Sequence, residues 1–401
     1  MSRNINIRDE EILLLGLCRL TFNAELKVML KALAEGTIDW KYFATLANDH
    51  GVAALIYHNL QRLDFLDLVT KDSAVSLKNS MMMNLCRNTV NLRAAGEVIS
   101  LLNHNRVNSV LIKGLALEIT VYGNKGLRQM TDADMLIPED KWRDAQKTLI
   151  SAGYKSGQVK SVFHRMIQAD TGKHLPTLEK NGFLLDLHLD LFGRKRPFLT
   201  KMLLDTAEEA EIMGLKTKIP RVPFFFLYLI RHLYMHELNN ESQLRLYTDL
   251  VVLLEKHGDE ILTADLLTMA HDAGLSEVLA RKLEPVRDLW GMSFPVWVND
   301  FINKWYSPAS INDFVYFLKS PKGNPPKDKA RIYKMNVSEI PGLCRKILYV
   351  LGDLFPTVRF MKNRYRCKSA LKAVLYYPHR WGKLWYLMKR VQGTGGAVHD
   401  N

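Results

Sequence analysis

Cysteine, long apolar runs and, over one stretch, acid are all scarce in this 401-residue chain. Its four cysteines, Cys18, Cys86, Cys344 and Cys367, are scattered with no Cys-x-x-Cys pair. That spacing argues against a disulfide framework and a zinc site, and it fits a reducing cytosol. The apolar stretch "VPFFFLYLI" falls well short of the roughly 20 residues that a membrane-crossing helix needs. Near the start, "EEILLLGLCRL" is too short and too acidic at its front for a signal peptide. These features predict a soluble, cytoplasmic protein.

Acid is missing from one region only. Between Gly342 and Val391 twelve Lys or Arg face a single carboxylate, Asp353, a surplus of +11 out of the formal +13 of the whole chain. The remainder is close to neutral, so the sequence describes an ordinary body with a basic tail. Familiar nucleotide and hydrolase signatures are absent too: no Gly-x-Ser-x-Gly, no phosphate-binding Walker loop and no dinucleotide fingerprint. No repeat recurs at a solenoid period.

What is present reads first as helix. In residues 1–103, "EEILLLGLCRLTF", "AELKVMLKALAE", "WKYFATLANDHGVAALIYHNLQRL" and "NLRAAGEVISLLNHN" repeat apolar residues three and four apart. Residues 104–200 change period. "SVLIKG" is a short strand candidate closed by Gly114, "LALEITVYG" a turn or two of helix, and "DMLIP" a second strand. "EDKWRDAQKTLISAGY" opens a helix with acids in its first turn. "GFLLDLHLDLFG" alternates cleanly between two glycines and is the clearest strand. Further short strands are expected in 154–182, "KSVFHRM" among them. Helices return over 201–300 ("KMLLDTAEEAEIM", "PFFFLYLIRHLYMHEL", "QLRLYTDLVVLLEKHG", "TADLLTMAHDAGL"), followed by a basic, aromatic-rich helical region at 301–391 and a disordered tail at 392–401. The fold class expected is α+β, a small mixed sheet flanked by N-terminal and C-terminal helices.

Chemistry concentrates in "RQMTDADMLIP". On a strand, Asp132 and Asp134 would point the same way. Two carboxylates at the mouth of a sheet, with a third acid from a later strand, could share a pair of Mg²⁺ ions; Asp186 stands on the best strand available. Taken alone, Asp-x-Asp is equally a solvated turn. His188 shares the face of Asp186 and either orients it or is a half-buried histidine satisfied by a neighbour. Asp190 reads as a solvated strand-end acid. Arg245 and Asp249 read either as cleft-lining residues or as a helix-surface ion pair at four-residue spacing. His232 and His236, four apart without a third ligand, read as packing rather than a metal site.

Taken in order, "LIKGLALEITVYGNKGLRQMTDADMLIP", "LDLHLDL", "RHLYMHELNNESQLRLYTDLVVLL" and the upstream "TIDWKYFATLANDHGVAALIYHNL" resemble the DNA-polymerase-β-type nucleotidyltransferase superfamily. The match is to its branch of uncharacterised nucleotidyltransferases, in which Lys-Gly replaces the usual Gly-Ser turn. The resemblance covers roughly residues 10 to 290. It implies Asp132, Asp134 and Asp186 as a catalytic, metal-binding triad for two Mg²⁺. It further implies Gly114 as the point of close approach to a nucleoside triphosphate, with Lys113 and Arg128 as charge for its phosphates and His188 beside them. The reaction implied is transfer of a nucleotidyl group from an NTP to an unidentified acceptor. Two alternatives stay open: an inactive nucleotide-binding scaffold, and a membrane-associated accessory factor of polysaccharide biosynthesis.

The tail "RFMKNRYRCKSALKAVLYYPHRWGKLWYLMKRV" interleaves basic and aromatic residues, with Trp381, Leu384, Trp385 and Met388 on one helical face. Three readings stand for 359–391: packing on the body, contact with an anionic membrane surface at the inner face of the membrane, and, behind both, nucleic acid.

Overall fold

The computed structural model describes residues 7–171, 174–241, 243–320 and 329–393. The architecture is α+β, helices flanking a mixed sheet. The described residues carry seven strands: β1 (Val110–Ile112), β2 (Ala133–Leu136), β3 (Lys155–Ser156), β4 (Leu178–Lys180), β5 (Phe183–His188), β6 (Glu208–Ile212) and β7 (Leu215–Ile219). The chain divides into two compact units, one of residues 1–100, 110–133 and 205–325, the other of 101–109, 134–204 and 326–401.

The first unit begins with helices Asp9–Leu17, Ala24–Ala34, Trp40–Asp49 and Ala53–Arg62, as the apolar spacing predicts. Asn23 and Asp39 cap two of them, their side-chain oxygens accepting from Leu26 N (2.8 Å) and Tyr42 N (2.9 Å). The helix Lys71–His104 is 34 residues long, and only its latter part carries enough apolar periodicity to be read from the sequence. The helices Val222–Leu238 and Leu244–Ile261 bury Phe225, Phe226, Leu250 and Val251 in the core.

In this unit β7 lies parallel to β1, Val110 opposite Lys218, and antiparallel to β6, Ile212 opposite Leu215. The helix expected over "KMLLDTAEEAEIM" is therefore overturned in its second half. Only Pro197–Asp205 is helical; "EEAEI" and "LKTKI" form a hairpin. Met213 and Gly214, at φ 53° and 78°, make the two-residue turn with both central residues left-handed, which suits the strand twist. The apolar count over this stretch fits helix, but an alternating, charged edge strand with a glycine turn fits better.

In the second unit β4 runs antiparallel to both β3 and β5, and β5 has β2 on its other side. Asn181 and Gly182, again both left-handed, close the β4–β5 hairpin. β3 and β4 meet the expectation of short strands in 154–182, whereas "KSVFHRM" does not form one. Ser161 caps a helix there, Val162–Met166, its hydroxyl accepting from His164 N at 3.0 Å. Helices Lys329–Glu339, Leu343–Leu354, Val358–Arg364, Ala370–Val374 and Tyr377–Gly393 complete the unit. The disordered tail expected from 392 is helical at its first two residues; the rest lies outside the described residues. Among the described residues no helix is long and apolar enough to cross a membrane.

Candidate active site

The strands of the second unit bring three polar side chains to one place. Asp186 and His188, two residues apart on β5, share a face, and Asp134 comes from the neighbouring strand β2. All three are buried: Asp134 is 3%, Asp186 9% and His188 5% exposed. One potential ligand atom from each lies within 4.8 Å of the other two. His188 Nε2 donates to Asp134 Oδ1 at 2.7 Å, and Thr177 Oγ1 donates to Asp186 Oδ1 at 2.6 Å. His174 adds a second imidazole, its Nδ1 3.6 Å from Asp186 Oδ1.

Two ionised carboxylates buried this close together repel and are costly to desolvate without a cation. The donor set answers that cost with oxygen ligands held in place by neighbouring hydrogen bonds, which fits a hard divalent ion. His188 is already committed through Nε2 to Asp134. It therefore orients the β2 carboxylate of Asp134.

Asp132 occupies the bend immediately before β2, half-buried, where Thr131 Oγ1 donates to its Oδ1 at 3.1 Å. Asp132 thus directly precedes the strand that carries Asp134. Asp190 is not solvated. It is 4% exposed, and its Oδ1 accepts from Phe192 N, Gly193 N and Thr200 Oγ1.

In the first unit Arg128 and Asp249 form a buried bidentate pair. Nε and Nη2 of Arg128 donate to Oδ1 and Oδ2 of Asp249, both at 2.7 Å, and Tyr122 OH adds a third bond to Oδ1 at 2.9 Å. Burial acts to lower the Arg128 pKa, but the Asp249 carboxylate outweighs it and the net shift is upward. Burial, followed by the adjacent Asp249 charge, pushes the Tyr122 hydroxyl well up. The helix-surface pair between Arg245 and Asp249 is thus overturned, since Asp249 faces inward and takes Arg128. Arg245 instead donates to Gln129 O and Gln243 Oε1, both at 2.9 Å. Its Nε is buried without a hydrogen-bond partner among the described residues. Burial, and then the nearby Arg128 charge, bring the Arg245 pKa down to about 10.

The end of β1 carries the Lys-Gly turn. Lys113, not Gly114, holds the left-handed backbone, at φ 50°. Gly114 is required for space, because a Cβ there would meet Arg128 Nη1 at 2.7 Å and Met130 Cγ at 2.9 Å. The glycine thus admits two side chains of its own unit. For an L-residue such as Lys113 the left-handed turn costs about 1 kcal/mol.

Sequence reasoning missed Thr177 and His174, which contact Asp186, and Tyr122, which completes the Asp249 pair. The Asn-Gly turn at 181–182 could have revealed Thr177, since it fixes β4 beside β5. No comparable signal marks His174. A cavity of about 440 Å³ in the second unit is lined by Gln146, Gln158, Gln168, Arg165, Thr357 and Arg359 among others. Asp134, Asp186 and His188 do not line it, so the cavity is separate from the acidic cluster.

No curated protein matches the chain. Among solved structures it is similar to the antibiotic-resistance factor ANT(2″)-Ia in solution, at 10% identity and a TM-score of 0.34, over 49% of this chain and 97% of that one. It is similar also to a crystal structure of ANT(2″)-Ia with adenylyl-2″-tobramycin, at 10% identity and a TM-score of 0.33, over 46% of this chain and 97% of that one. The decisive comparison is with a family profile described as uncharacterised nucleotidyltransferase, which matches residues 36–291. That span takes in the Lys113 turn, the acids of β2 and β5 and the Arg128–Asp249 pair, so the chain belongs to the family of uncharacterised nucleotidyltransferases.

Proposed function

We propose that the protein transfers a nucleotidyl group from a nucleoside triphosphate to a hydroxyl or phosphate of an acceptor, with Mg²⁺ held by Asp134 and Asp186 and Asp132 supplying the third carboxylate. The observation that carries this reading is the buried grouping of Asp134, Asp186 and His188 on adjacent strands. When bound, the divalent cation would neutralise charge on the phosphates and on the oxygens that enter and leave phosphorus.

The protein's own residues account for the rest. His188 holds the Asp134 carboxylate in one orientation, and Thr177 does the same for Asp186. Asp186 accepts the proton of the attacking hydroxyl. Lys113 and Arg245 supply positive charge for the triphosphate. Arg128 is engaged by Asp249 through two of its three nitrogens, so its contribution is a fixed field more than a movable contact. Arg128 and Arg245 are countered by one fully buried acid, Asp249, with Asp132 also acting on both, an arrangement that favours an incoming anion.

The test uses the intact chain, each α-labelled NTP, Mg²⁺ and a fractionated pool of small hydroxylated metabolites. Label should move to an acceptor with release of pyrophosphate. Asp186→Asn should lower that transfer by at least a hundredfold while nucleotide binding, read by calorimetry, persists. If every NTP binds but neither pyrophosphate nor labelled product forms with any fraction, the protein is a nucleotide-binding scaffold and the catalytic reading is wrong.

A further inference from the structure

The sequence points to a helical face at Trp381, Leu384, Trp385 and Met388, but the structure directs attention elsewhere in the same region. Leu384 is buried, and Trp381 stacks edge-on against Phe355 while its Nε1 donates to Leu354 O at 2.8 Å. Trp385 stays exposed, and a further apolar face turned to solvent belongs to the short helix Ala370–Val374 and the residue after it. Leu371 is 78%, Val374 47% and Leu375 74% exposed. These positions are three and four apart and so lie on one side. Ala373, fully buried, fixes the opposite side against the protein.

Along the chain on either side of this face the charge is of one sign. Arg364, Arg366, Lys368 and Lys372 are all exposed, and residues 354–399 contain no Asp or Glu. We propose that Leu371, Val374 and Leu375, together with these four exposed cations, dock the protein on an anionic lipid surface. The aliphatic side chains enter the boundary between headgroups and acyl chains, and the cations meet lipid phosphates and carboxylates.

Two observations favour lipid over nucleic acid. The presented side chains are aliphatic and offer no ring on which a base could stack. Of the rings nearest the face in sequence, Tyr365 and Tyr376 stack with centroids 4.5 Å apart, and His379 sits edge-on to both. Docking is independent of nucleotidyl transfer and does not draw on the residues assigned to it.

The experiment is vesicle sedimentation of the full chain with phosphatidylcholine alone and with one third phosphatidylglycerol. Binding should require the anionic lipid and weaken with salt. Leu371→Ser with Leu375→Ser should weaken it at least tenfold, and Lys368→Gln with Lys372→Gln by about fivefold per charge. All four side chains are exposed, so circular dichroism and melting should match wild type, and Asp186→Asn should bind vesicles normally. The proposal is overturned if wild type ignores anionic vesicles, or if the leucine variant binds undiminished. It is equally overturned if the leucine substitutions abolish a dimer seen by gel filtration without changing vesicle binding, or if polyuridylate competes the protein off the lipid.

Discussion

Asp249 illustrates how a single side chain can mislead. In "LRLYTDL" it stands four residues from Arg245, so helix geometry alone makes it a surface partner of that arginine. It is 1% exposed and instead neutralises Arg128, 121 residues away in sequence. No local pattern reports a partner at that separation. Removing the charge leaves the Arg128 guanidinium buried and unpaired, which costs more than the hydrogen bonds alone. Asp249→Asn should therefore destabilise the protein by about 3–5 kcal/mol, measured by urea unfolding. Tyr122→Phe removes a single bond to the same carboxylate and should cost about 1 kcal/mol. Asp134, Asp186 and His188 were readable because strand alternation is local. Their partners His174 and Thr177 were not, because β4 had to be paired with β5 first.

Helices and strands were readable in proportion to how far their own periodicity decided the outcome. The helices Trp40–Asp49 and Ala53–Arg62 are strongly amphipathic and form as expected. The β6–β7 hairpin was hidden because its charged faces resemble a solvated helix, and "KSVFHRM" because Ser161 acts as a cap in a segment rich in β-branched and aromatic residues. Between helices, His50 joins the Trp40–Asp49 helix to the helix Leu244–Ile261. Its Nε2 donates to Leu318 O at 2.8 Å, and its Nδ1 accepts from Leu244 N at 3.1 Å. Burial, only partly offset by the Leu318 carbonyl, lowers the His50 pKa to about 4. The unfolded chain takes up this proton near pH 6.5 while the folded chain does not, so stability is greatest above that pH. It declines as the pH falls and levels off below about 4. Between pH 7 and pH 5 this one group should cost about 2 kcal/mol. Urea midpoints of wild type and His50→Phe at the two pH values should differ by that amount in their pH dependence, with wild type losing more.

Over the full chain, composition foretold the basic tail but not how the tail is held. The single acid of that region, Asp353, is 2% exposed and pairs with Lys160, with Arg380 Nη2 3.7 Å and His164 Nε2 3.8 Å from its Oδ1. A lone carboxylate among twelve cations thus secures the helix Leu343–Leu354 to the segment that carries Ser161. Asp353→Asn should speed amide hydrogen exchange over 160–166 and 343–354 by about a hundredfold, corresponding to roughly 3 kcal/mol of lost local stability. The acidic cluster has the opposite construction. Asp134 and Asp186 hang from adjacent strands, and adjacent strands stand about 4.8 Å apart whatever side chains they bear. The spacing between these two carboxylates is therefore set by the peptide backbone and would persist through changes in the side chains around them.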